Sequence, residues 1–150
     1  MKAKKLVGHL LMLLTTLALA AGAGAKDVTF DVCGVPATVW ASSLDGRPLA
    51  QSRRILVTHL TDVQADGNVY AEPTKKTLLK WGAYPPVVRN GRAKVGLAVA
   101  DADRFEVWAL ETSGRRAEKV PCEVRKGRLY FTANVTGPTG ARMLYEVSCE

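Results

Sequence analysis

His59 is the one histidine beyond the first 25 residues, and it sits in the apolar run Ile55-Leu56-Val57-Thr58-His59-Leu60. An imidazole can serve as a general base, but a nucleophile relay needs a partner serine, and no Gly-x-Ser-x-Gly elbow occurs. With Asp62 nearby it still lacks the third and fourth ligands of a zinc site, so no metal site and no cofactor is expected. The favoured reading is a hydrogen-bonded strand histidine. Carboxylates offer a second chemistry, glycoside hydrolysis, which needs two of them about 5 to 9 Å apart across a sugar. Asp62, Asp66 and Glu72 flank one irregular stretch, and Asp101 and Asp103 flank a turn. Turn formation accounts for Asp101, Asp103 and Asp66. Aromatic rings offer the third. Sugar C–H faces pack on Trp and Tyr, so Trp81, Tyr84 and Tyr70, beside Asp62 and Asp66, are the candidate ligand-binding residues. Trp40 and Trp108, flanked by strand residues, are expected in the core. For Trp81 the core also outweighs the platform.

These residues must be positioned by strands. Arg53 to Asp62 is a β-favouring run free of Gly and Pro, apolar on both faces in the middle, so it reads as a central strand with Ile55, Leu56, Val57 and Leu60 well buried. Val28, Phe30 and Val32 alternate with polar residues, and Gly34-Val35-Pro36 bends the chain toward Ala37 to Ala41 as a hairpin-like pair. Residues 63–73 show no clear period and read as the longest loop. The stretch from Lys76 to Gly82 reads as a strand. Ala83 to Val88, extended by Pro85 and Pro86, belongs at an edge, and Asn90-Gly91 is the strongest short hairpin signal. Further strands follow to Cys149. About nine or ten short strands with regular turn signals predict an all-β chain, a single antiparallel β-sandwich of immunoglobulin-like or jelly-roll-like kind.

The chain opens with Lys2, Lys4 and Lys5, an apolar run over Leu6 to Ala20, and the small residues Ala21 to Ala25. That order is a signal peptide over residues 1–25, followed by one domain over 26–150. It predicts export to the periplasm or beyond, with no stable membrane span after cleavage. Removing the three leader lysines takes the formal charge from +7 to +4. The remaining Lys and Arg are scattered over turns and strand ends, which argues against a nucleic-acid surface. Cys33, Cys122 and Cys149 remain, enough for one disulfide and one leftover thiol in an oxidising compartment. Cys33 and Cys149 lie in the first and last strands, which often neighbour each other, and Cys122 follows a Pro in a late hairpin; the sequence leaves all three pairings open.

From Ser43 onward, the segments Ser43-Leu44-Asp45-Gly46, Arg54 to Gln64, Leu79-Lys80-Trp81-Gly82, Arg89-Asn90-Gly91-Arg92 and Val107 to Gly114 resemble the C-terminal β-sandwich of large secreted bacterial proteins related to glycoside hydrolases. The resemblance implies a sandwich that packs behind a catalytic (β/α) barrel. The catalytic carboxylates of such enzymes lie on the barrel, and here the leader runs almost directly into the sandwich, so no catalytic residue carries over. The expected function is therefore an exported, non-catalytic accessory or binding module for a carbohydrate or for a partner protein of the cell envelope. The competing readings are a small hydrolase built from His59, Asp62, Asp66 and Tyr70, and a purely structural envelope protein.

Overall fold

The computed structural model describes residues 27–138 and 140–149; the leader assigned to residues 1–25 lies outside them. The described chain is all β. Its strands are β1 (Val28–Cys33), β2 (Thr38–Ser43), β3 (Arg54–Leu60), β4 (Val63–Asp66), β5 (Val69–Tyr70), β6 (Leu78–Lys80), β7 (Ala83–Val88) and β8 (Arg92–Leu97), then β9 (Phe105–Leu110), β10 (Arg116–Val120), β11 (Cys122–Arg125), β12 (Arg128–Asn134), β13 (Thr136–Gly137), β14 (Gly140–Ala141) and β15 (Leu144–Cys149). Two single 3₁₀ turns, Leu49–Gln51 and Ala102–Arg104, are its helical elements.

Two antiparallel sheets form the sandwich. One has four strands in the order β1-β8-β12-β11, the other five in the order β10-β9-β15-β3-β2. Alternation sends every second side chain inward. Ile55 and Val57 from β3, Val107 and Ala109 from β9, and Tyr145 and Val147 from β15 meet Val95, Leu97, Leu129, Phe131 and Ala133 from the facing sheet. Each of the larger side chains in that layer contributes about 1.5 to 3 kcal/mol by leaving water. Two polar ties cross the layer to one strand end: His59 Nδ1 lies 3.1 Å from the Ala133 carbonyl, and the Tyr145 hydroxyl donates to the Asn134 carbonyl at 2.5 Å.

Three pairings differ from expectation. β1 and β2 are no hairpin: β1 pairs with β8 and β2 with β3, so Gly34-Val35-Pro36 carries the chain from one sheet to the other. Asn90-Gly91 does not close a hairpin either, because β7 pairs with β4 while β8 pairs with β1 and β12. Gly91 is needed for close approach instead, since a Cβ there would stand 2.7 Å from Val35 Cγ2. Residues 63–73, expected as a loop, hold β4 and β5. By contrast, the β11–β12 hairpin turns on Lys126 and Gly127, both at positive φ (50° and 71°), as a two-residue turn demands.

β3 is interior to its sheet, with β15 at the centre. Its inner residues Ile55 and Val57 are fully buried, whereas Leu56 and Leu60 point to the outer face and are half-buried. The same alternation corrects the two strand tryptophans. Trp40 is 40% exposed beside Thr58, and Trp108 lies on the outer face of β9 opposite Glu146, its ring covered by Arg116 and Lys119. Cys33 and Cys149 sit on different sheets, so first and last strands are not neighbours. Cys33, Cys122 and Cys149 form no disulfide with one another.

Candidate functional site

Between β3 of one sheet and β8 of the other, residues 62–89 leave the sandwich as a ribbon. β4 pairs with β7 at its base and β5 with β6 nearer its tip. Asp62 anchors the base. Its Oδ2 accepts from Gln64 Nε2 at 2.5 Å, forms an ion pair with Lys75 near the tip, and lies 3.6 Å from the Arg89 guanidinium. The Lys75 hydrogen bond is the main reason that the Asp62 carboxyl is held below the usual carboxylate range. Lys75 also lies 5.9 Å from the centroid of the Tyr70 ring, so the structure brings Asp62 and Tyr70 together through this one ammonium.

Asn68 sets the next turn of the ribbon. Its Oδ1 accepts the Gly82 N–H at 2.7 Å and its Nδ2 donates to the Tyr70 hydroxyl at 3.3 Å. Gly82 lies so close to the opposite strand that a Cβ would overlap the Asp66 carbonyl oxygen and stand 2.8 Å from the Asn68 nitrogen. Trp81, next to this clasp, is therefore held by backbone and leaves its ring outside, 79% exposed. The expectation that it belongs to the core is overturned. Tyr84 is 90% exposed because the register shifts between Ala65↔Pro86 and Asp66↔Ala83, which leaves Tyr84 and Pro85 unopposed. Asp66 is exposed at the end of β4.

The sequence reading found the two rings and missed what accompanies them. Of the ten large hydrophobic side chains left exposed among the described residues, six lie on this ribbon: Val63, Val69, Leu79, Trp81, Tyr84 and Val87. The signal was present in the sequence, since apolar residues recur through 63–88, but reading 63–73 as a loop hides it. His59 stays apart from the ribbon's chemistry. It is fully buried, and burial lowers its pKa against the opposing bond to Ala133.

Among the described residues, no cluster of three or more His, Cys, Asp or Glu could hold a metal ion, and no helix is long and apolar enough to cross a membrane. Comparison with family models, curated proteins and solved structures finds no match for this chain. What the fold and the ribbon define is a class, an all-β sandwich carrying an exposed apolar arm.

Proposed function

We propose that this protein is an exported, non-catalytic accessory module that docks through its 62–89 ribbon into an apolar cleft of a partner protein of the cell envelope. The observation that carries the reading is the concentration of six exposed large apolar side chains on one anchored ribbon. Aromatic anchors with aliphatic neighbours are what protein partners bury. Trp81 and Tyr84 alone suit a sugar, but Val63, Val69, Leu79 and Val87 have nothing to offer its hydroxyls. The hydrolase reading loses support because Asp62 is tied to three donors and His59 is buried away from solvent. The resemblance to barrel-associated sandwiches points to a carbohydrate-active protein as the partner.

The test is photo-crosslinking in the producing cell, with a benzophenone side chain at position 81 or 84 and a control at 126 in the β11–β12 turn. One envelope protein joined at 81 and 84 but not at 126 is the expected result. No adduct, or the same adducts at all three positions, overturns the docking role. A glycan in place of a protein returns the ribbon to sugar binding.

A further inference from the structure

The outer faces of the two sheets are finished in different ways. On the five-stranded sheet, polar side chains bond one another. Glu146 accepts from Arg54 Nε at 2.6 Å and Arg116 Nε at 2.7 Å, Arg116 also donates to Ser148 at 3.0 Å, and Lys119 meets Glu106 at 2.5 Å. On the four-stranded sheet, register sets two outward rows across the strands, Thr29–Gly96–Tyr130–Glu123 and Asp31–Lys94–Thr132. Between them runs the row Phe30–Val95–Phe131–Cys122, whose side chains turn inward and leave backbone as a floor. A cavity of about 840 Å³ lies along it. With three interstrand spacings it extends for about 14 Å, more than one sugar ring.

Gly96 shapes this groove. A Cβ there would come within 2.6 Å of both Thr29 Oγ1 and Tyr130 Cε1, so the Tyr130 ring lies down over the glycine, which any larger residue would prevent. Among the described residues, the side chains of Lys94, Tyr130, Thr132 and Asn134 make no hydrogen bond or ion pair within the protein. Their donors and acceptors face the groove unoccupied by protein groups. Its charged lining balances, Asp31 and Glu123 against Lys94 and Arg125, with Glu123 and Arg125 paired to each other. A balanced set of donors and acceptors around an aromatic face does not select an ion; it matches a neutral, polyhydroxylated chain.

We propose that this groove binds a neutral oligosaccharide, with Tyr130 as the stacking face and Asp31, Lys94, Thr132 and Asn134 bonding its hydroxyls. The site is separate from the ribbon, so either can fail without the other.

The test is a titration of the ¹⁵N-labelled domain with cellotetraose, xylotetraose, mannotetraose and maltotetraose, each to about 10 mM, enough to reveal a millimolar Kd. Tetragalacturonate serves as the anionic control. At least one neutral tetrasaccharide should shift the amides of Gly96, Tyr130 and Thr132. Asp31→Ala and Lys94→Ala, both exposed and free of structural bonds to other elements, should keep the melting temperature and weaken binding about tenfold each. Tyr130→Ala should abolish it. Binding of none of the four, equal binding by the groove variants, tighter binding of the anion, or shifts confined to Trp81 and Tyr84 overturns the proposal.

Discussion

Asn68 Oδ1 accepts the backbone N–H of Gly82 at 2.7 Å, and this one bond crosses the ribbon where its register is irregular. It explains why Trp81 can stand in water on a fixed backbone. A Cβ on Gly82 would meet Asp66 and Asn68 backbone, which cannot move aside as a flexible side chain can. Gly82→Ala should therefore loosen the ribbon and spare the sandwich. Hydrogen exchange is expected to accelerate across 63–88 while β9, β12 and β15 stay protected; uniform protection in the variant would contradict the clasp.

Trp81→Ala and Tyr84→Ala should be nearly silent in stability, within about 0.5 kcal/mol of the parent, because both rings are outside any packed layer. Had Trp81 been a core residue, the cost would be about 3 to 5 kcal/mol. A thermal melt separates the two outcomes directly.

Glu146→Gln tests the brace on the outer face of the five-stranded sheet. Burial alone would raise the Glu146 pKa, but its bonds to Arg116 and Arg54 outweigh that and leave it lowered. Removing the charge weakens both bonds, and the expected loss is about 1 to 3 kcal/mol in urea unfolding. Part of that loss should appear in the parent on acidification, since a depressed carboxylate pKa gives stability that is present above the unfolded value and disappears as pH falls through the folded one. An unchanged midpoint in Glu146→Gln would show that the two arginines are adequately solvated alone.

His59 gives a pH dependence in a different window. Burial lowers its pKa from 6.5, so as pH falls below about 6.5 the unfolded chain takes up a proton that the folded chain refuses. Stability should decline as pH falls from about 7 through 6.5, above the range where most carboxylates titrate. His59→Leu should flatten that slope whatever it does to the midpoint. A parent melting temperature that is flat across the window would rule out a buried neutral imidazole.

Tyr145 supplies the alkaline counterpart. Burial pushes its hydroxyl up to about 12. In a spectrophotometric titration one tyrosine should remain protonated well above pH 10 in the parent, and Tyr145→Phe should remove it. Because the folded pKa is the higher one, this group's share of stability is complete below about pH 10 and is lost as pH rises toward 12.

Strand content and the alternation of β3 were legible from the sequence because they depend on neighbours a few residues apart. Alternation marks Ile55 and Val57 as one face and Leu56 and Leu60 as the other, whatever the rest of the chain does. Which strands pair is a long-range matter. Gly34-Val35-Pro36 looks the same whether it closes a hairpin or crosses between sheets, and Asn90-Gly91 carries a hairpin signal although Gly91 is there to let Val35 approach. Period two also names two faces without saying which one is covered. So Trp40 and Trp108 read as core and stand on the outside, and residues 63–73 read as a loop until β4 is seen to pair with β7. The groove lies furthest from local reach. Its two rows join residues from β1, β8, β12 and β11, brought side by side only when four strands far apart in the chain share one sheet, with Gly96 opposite both Thr29 and Tyr130.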